Sequence, residues 1–320
     1  MDPGEIELMF KLEGIFMPYA AGRRASLKAQ NKRMVHYTSA ENLFKIISSK
    51  TMWMRNTNCM ADYSEVAHGY EMLHIFFRQH HNAFCASLNA CHAGIGEESV
   101  KHFDQWWTNI RFNTYICSIS EHDDKEDSHG RLSMWRAFGR TSARAAMVMK
   151  LPEPGTAEGL RLLLSPVAYF QYDDVRQQLQ DVMNNVIGSQ AFLAGLDRKL
   201  VKRIVFMMLV SAAVSIKHLG FEEEKEWRVI YLPDANPSKL IKSSTEVIEG
   251  VPQIIYKIPL EENPDNDVVG VGLPTLVDRI IIGPTVYPAP MHIAFAETLG
   301  SAGVADPYKR VVVSGIPIRP

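Results

Sequence analysis

The sequence predicts an α+β fold, with helices concentrated in the first two thirds of the chain and strands around and after them. Three observations support this. Long stretches at 66–88, 97–110 and 173–218 read as helices. Short β-branched or alternating runs at 113–120, 226–232, 254–258, 277–282 and 310–313 read as strands. Polar, turn-rich segments separate them, and no internal repeat or long low-complexity tract is present.

In chain order, residues 1–33 read as an N-terminal arm, with an amphipathic piece around Ile6 to Phe16 and then a basic segment. Residues 34–320 read as one domain, with a helical insertion at about 173–218. Met34 to Tyr37 is expected as a strand. Thr38-Ser39-Ala40-Glu41 then fits a capping box, followed by Leu43, Phe44, Ile46 and Ile47 at helical spacing. Thr51 to Arg55 is the next strand and Asn56 to Ser64 a turn-rich loop. After the strand ending at Ser120, the acidic segment Glu121 to Arg131 reads as a mobile loop, and Leu132 to Phe138 as a short helix. Ala145 to Lys150 and Ser165 to Tyr169 complete the strands of the first half.

A chain of 320 residues, 46% hydrophobic and 22% charged, can bury a sizeable core. A net charge of -2 gives no global basic field for nucleic acid. The local exception is Arg23, Arg24, Lys28, Lys32 and Arg33, a run without acids. It is either a solvated arm or a segment that contacts phosphate or a partner. Cys59, Cys85, Cys91 and Cys117 form no CxxC pair, and no signal-peptide pattern opens the chain, so reduced thiols in the cytoplasm are expected. The charge-free run Ile204 to Ile216 is shorter than the roughly 20 residues a membrane span needs and reads as a buried helix, in a core or at a dimer contact. His74, His80, His81, Cys85, Cys91 and His92 match no zinc spacing, so no metal is expected. No P-loop, strand-following GxGxxG, GxSxG or HExxH motif occurs.

Two short stretches offer chemistry. His36, Tyr37 and Thr38 place an imidazole, a phenol and a hydroxyl where a strand gives way to a helix, although Thr38 also suits the helix N-cap. Glu224 and Glu226 lie two residues apart, hence on one face if the chain is extended there. Glu226 either pairs with Arg228 or faces a cleft and orients a sugar hydroxyl. Arg55, Asn56, Asn58, Asp62 and Glu65 suggest a shaped loop, with Asn58 and Asp62 also plausible turn formers. Trp135 and Phe138 are core or ligand platforms, while Arg136, Arg140 and Arg144 are candidates for a pyrophosphate.

The motifs Val35-His36-Tyr37-Thr38-Ser39, Met52-Trp53-Met54-Arg55, Asp62-Tyr63-Ser64-Glu65, Cys117-Ser118-Ile119-Ser120, Leu132 to Gly139 and Glu224-Lys225-Glu226-Trp227-Arg228 occur in order over roughly residues 34 to 285. In them the chain resembles a bacterial domain family of unknown function, itself similar to the ADP-ribosyltransferase superfamily and to DarT-type toxins. The resemblance implies a split, twisted sheet with a cleft for NAD. It implies that His36 binds a ribose hydroxyl and the nicotinamide end, that Glu226 is catalytic, and that Glu224 opens a Glu-x-Glu pair. Tyr37 and Trp135 compete to stack on nicotinamide, and Ser118 or Ser120 fills the middle strand position.

The expectation is therefore a cytoplasmic, NAD-dependent ADP-ribosyltransferase, a toxin or phage-defence effector. Its acceptor would be a nucleobase of RNA or DNA, or a protein side chain, and an antitoxin or chaperone would be its natural partner. NAD hydrolysis and non-catalytic binding of a nucleotide or a partner protein are the rival readings.

Overall fold

The structure is a computed structural model that describes residues 2–60, 65–137, 143–248 and 250–317. Its elements are α1 (Pro3–Phe16), α2 (Pro18–Ala29), β1 (Arg33–Ser39), α3 (Ala40–Ser49), β2 (Thr51–Asn56), α4 (Glu65–Asn89), α5 (Ile95–Phe112), β3 (Tyr115–His122), α6 (Leu132–Ala137), β4 (Arg144–Met149), β5 (Leu163–Pro166) and β6 (Ala168–Tyr169). They continue with α7 (Tyr172–Gly188), α8 (Gln190–Ala194), α9 (Arg198–Ser215), β7 (Ile216–Lys217), β8 (Glu226–Tyr231), β9 (Lys242–Ile248), β10 (Val251–Pro259), α10 (Leu273–Leu276), β11 (Val277–Ile282), α11 (Pro288–Ser301), α12 (Pro307–Arg310) and β12 (Val311–Val313). Helix and sheet are thus mixed, as the composition of periodicities predicts.

Ten strands form one open, mixed sheet. Its main path runs β12-β11-β4-β1-β3-β2-β10-β9, with β8 between β3 and β5. Among the described residues, only β11 and β12 run parallel within it. β6 and β7 form a separate parallel pair. Strand alternation sends Ile116 and Ile230 to a face covered by α4, α5, α7 and α9, whose buried residues include Leu73, Phe103, Leu179 and Leu209. Cys117, Ile119 and Trp227 face the opposite core, under α3 and α11.

The apolar run at 204–216 is the centre of the helical layer. Val205, Leu209, Val210, Ala213 and Val214 are fully buried on α9, as the sequence predicts for a core helix. Close approach of α4 to α9 requires Gly69, because a Cβ there would sit 2.2 Å from the Ala213 carbonyl oxygen. No helix among the described residues is long and apolar enough to cross a membrane.

Several local expectations change. Residues 1–33 carry two helices, and Leu12, Ile15 and Phe16 join the main core. The cap of α3 is Ser39, whose hydroxyl accepts from Asn42 N at 3.1 Å. Thr38 is still strand, paired with Ala145, so the predicted box falls one residue early. β9 and α11 were not anticipated. β9 alternates poorly because it is an edge strand with little to bury, and α11 opens on Pro288, a residue that suits a first helical turn.

Candidate active site

β3 has β8 along one edge, in register from Tyr115↔Tyr231 to Ser120↔Glu226. Its other edge is shared. β1 pairs there only at Val35↔Ser120, Met34↔Glu121 and Arg33↔His122, and β2 only at Arg55↔Ile116 and Asn56↔Tyr115. Residues 117–119 lie between these two partners, so the sheet opens at that point. His36 stands where β1 peels away, and its Nδ1 hydrogen-bonds the Ser118 carbonyl oxygen at 2.9 Å. The ring thereby satisfies a backbone acceptor that a continuous ladder would have used. Burial lowers the His36 pKa, against the opposing pull of the Ser118 carbonyl, which favours a neutral imidazole with its proton on Nδ1.

Ser118 carries the link across β3. Its side chain is half-buried, and its hydroxyl donates to Glu226 Oε1 at 2.6 Å. Glu226 is 5% exposed and accepts three further bonds, from Arg228 Nε at 3.0 Å and Nη2 at 3.3 Å and from Lys217 Nζ at 3.2 Å. A carboxylate has about four acceptor positions, and all of them are filled. Burial alone would raise the Glu226 pKa, but Arg228 and Lys217 hold it down to about 2. Thus Glu226 pairs with Arg228, the first of the two sequence alternatives, and also accepts from a partly accessible serine hydroxyl beside the split.

Glu224 joins the same cluster by a different route. Lys225 has φ 46° and ψ 45°, so the chain is not extended between the two glutamates. The ammonium of Lys217 brings them together, at 2.8 Å from Glu224 and 3.2 Å from Glu226. Burial raises the Glu224 pKa, with Lys217 opposing, so its affinity for a proton exceeds that of Glu226. Glu65, at the start of α4, meets Lys217 at 3.0 Å and also pairs with Arg228. The Glu226 backbone N–H donates to the Tyr169 hydroxyl at 2.8 Å.

Lys217 and Tyr169 were not singled out from the sequence. The signal available was Lys217 itself, a cation directly after a long apolar run, where burial demands an acidic partner.

The remaining candidates scatter. Tyr37 and Trp135 lie in a small core of their own, 4% and 0% exposed, with ring centroids 4.9 Å apart. Tyr37 accepts from Arg131 N at 2.8 Å, and Trp135 Nε1 donates to the His129 carbonyl at 2.7 Å. Gly130, at φ 67°, leaves room for the indole, since a Cβ there would lie 2.7 Å from it. In this arrangement both aromatics are structural, and neither presents a face for nicotinamide. Ser120 is 3% exposed, and Thr38 receives only a 3.4 Å bond from Asn42. Arg55 shapes its own loop, through Gln253 at 3.2 Å and the Cys59 carbonyl at 2.6 Å. Asn56, rather than Asn58, supplies the side-chain acceptor of that turn. Arg136 is exposed on α6, and Arg144 begins β4. Asp62, Phe138 and Arg140 lie outside the described residues.

The basic run at 23–33 is engaged within the chain. Arg23 pairs with Glu121, Arg24 with Glu13 at 3.0 Å, and Lys32 with Glu121 and Asp123 at 3.3 Å each. Arg33 spans Asp124, Asp127 and Asp278 at 2.5–2.7 Å. The acidic segment expected to be loose is fastened by these pairs and by Arg131, which bonds Glu126 and three backbone carbonyls. Phosphate recognition by Arg23, Arg24, Lys32 or Arg33 would have to break those pairs.

No family model matches the chain, and no curated protein or solved structure matches it either.

Proposed function

We propose that this chain is an NAD-dependent ADP-ribosyltransferase that modifies a nucleic-acid base or a protein side chain. The observation that carries the reading is the hydrogen-bonded line from the His36 ring through Ser118 to an ionised Glu226, at the point where β1 and β2 part along β3. NAD would supply the reactive glycosidic bond and a good leaving group as co-substrate. Breaking that bond builds positive charge on the ribose ring, and a nearby carboxylate stabilises it. Glu226 can do this only while ionised, and Arg228 and Lys217 keep it so at neutral pH.

Its acceptor positions are full, so a ribose 2'-hydroxyl must displace a donor. Ser118 is the one neutral donor of the set and the most accessible. Its exchange costs less than uncoupling Arg228 or Lys217, because bonds between charged partners are stronger. The His36 ring, neutral and fixed at Nδ1, keeps Nε2 as an acceptor for a second hydroxyl. Glu224, with its raised proton affinity, is the better base for the incoming nucleophile.

A second reading has its own observation. Glu226 is nearly inaccessible and held by two cations, as a purely structural ion cluster would be. The chain would then bind a nucleotide or partner without consuming it.

Labelled NAD and whole-cell extract, incubated with the purified chain or with its Glu226→Gln variant, separate these readings. Transfer predicts label with the unmutated chain alone, and sensitivity of that label to protease, RNase or DNase names the acceptor. NAD loss without label indicates hydrolysis. Neither label nor NAD loss in any extract makes the binding reading correct.

A further inference from the structure

β9 ends the sheet path, and its outer edge has no strand partner among the described residues. It runs for seven residues, from Lys242 to Ile248, with β10 on its other side. An uncovered edge presents a row of backbone donors and acceptors that another strand can use. β9 contains no proline, and its register with β10 is unbroken from Lys257↔Lys242 to Val251↔Ile248. Val247 and Ile254, on one face of this two-stranded ribbon, are 69% and 51% exposed.

The charges on the opposite face of the ribbon are unbalanced. Lys242 and Lys257 stand directly opposite each other, a like-charge pair that weakens a ladder. Glu246 shares their face and pairs with Lys257 at 3.1 Å. Lys242 donates to the Lys239 carbonyl at 2.8 Å and has no acidic partner among the described residues. A lysine on an edge strand normally deters pairing, because an incoming strand brings it no counter-charge. Here the counter-charge lies on the same strand. When two copies of β9 pair antiparallel about Ser244, Lys242 of each copy faces Glu246 of the other, and Ser243 faces Thr245. The neighbouring symmetric registers, about Ser243 or Thr245, set Lys242 against Ser244 or Ile248 instead. Charge therefore selects the register about Ser244.

We propose that β9 is a self-association surface, on which a second copy of this chain pairs antiparallel about a twofold axis at Ser244, with two Lys242–Glu246 pairs between the copies. The contact is isologous, so it covers both β9 edges and closes at a dimer. One short strand from each copy makes a small interface, of the weak and transient class.

Sedimentation equilibrium of the full chain tests this, with a dimer expected at on the order of 10–100 µM chain. Lys242→Glu sets carboxylate against carboxylate twice and should weaken the dimer by about 10-fold. Within one chain the same change places an acid opposite Lys257, so the Tm should not fall. Adding Glu246→Lys to that variant reverses both pairs and should restore the dimer. The register has its own test. Facing residues of an antiparallel pair have Cα atoms about 4.5–5.5 Å apart, within the range of a disulfide. Ser244→Cys should therefore cross-link under mild oxidation, with the unmutated chain as the control for Cys59. Val247→Cys should not, because its counterpart lies about 20 Å away along the ladder. A chain that stays monomeric at about 500 µM overturns the proposal and leaves the edge to a different strand. A dimer that Lys242→Glu does not weaken also overturns it, and places the contact elsewhere, such as at the exposed Val286, Tyr287 and Ile293. Failure of Ser244→Cys to cross-link, or faster cross-linking of Val247→Cys, does the same.

Discussion

Two charge clusters flank β3, and they differ in what surrounds them. At its C-terminal end, Glu121, Asp123, Asp124, Glu126, Asp127 and Asp278 meet Arg23, Lys32, Arg33, Arg131, Lys225, Arg279 and Arg310. Asp124 and Lys225 reach solvent while Glu121 and Glu126 are buried, and the pairs tie a loop and a helix to the sheet. Beside the middle of β3, Glu65, Glu224 and Glu226 meet Lys217 and Arg228. Here the side chains of both cations are 3% exposed. The exposed pairs of the outer cluster, such as Lys225 with Asp123, are worth little singly. The inner one pays a desolvation cost that stability alone rarely justifies, since well-packed apolar residues often do as well. It ends on a half-buried hydroxyl and a histidine at a break in the sheet, which makes it the better candidate for chemistry.

The largest effect that sharpens this contrast is on turnover. Glu226→Gln should reduce NAD consumption by about 10²–10⁴-fold, or about 3–5 kcal/mol of barrier, as measured by nicotinamide release. Next is stability. Arg228→Met leaves Glu226 and Glu65 to share Lys217 with Glu224 and should cost about 3–5 kcal/mol, read as a lower urea midpoint. Glu226→Gln should cost less stability, because Lys217 keeps Glu65 and Glu224, and Arg228 keeps Glu65. A midpoint unchanged in Arg228→Met would mean that the inner cluster is no more coupled than the outer one.

Acid should expose the inner cluster as well. The Glu226 pKa is depressed from 4.5 to about 2, so its contribution is present above pH 4.5 and is lost as pH falls toward 2. That contribution is on the order of 3 kcal/mol. Glu224, whose pKa is raised, acts in the opposite sense and offsets part of the loss. Urea midpoints measured between pH 5 and pH 2.5 should therefore fall more steeply in the unmutated chain than in Glu226→Gln. Equal slopes would remove Glu226 as an ionised, clamped group. The smallest effect belongs to the outer cluster. Lys225→Ala, which loses a 3.0 Å pair with Asp123, should cost less than about 1 kcal/mol, with the difference shrinking in high salt.

Part of the inner cluster was legible in the sequence, and the physical reasons for the rest are specific. His36, Ser118 and Glu226 stand at strand positions that alternation and β-branching identify, and the structure brings them together. Lys217 escaped because its role depends on the contact of β7 with Glu226 of β8, which no periodicity encodes. Tyr37 and Trp135 looked like platforms, yet the pleat turns Tyr37 away from His36 into a separate core. The basic and acidic segments each read as solvated on their own. Their complementarity spans some 90 residues of chain, as in Arg23 with Glu121, and is invisible to any local window.

The most direct measurement is a titration of the full chain with NAD, followed by backbone amide NMR. Saturable shifts at His36, Ser118 and Glu226, with none at Arg33, Asp127 and Arg279, are the predicted result. Shifts confined to the outer cluster, or none at millimolar NAD, would contradict the assignment of the inner cluster as the NAD site.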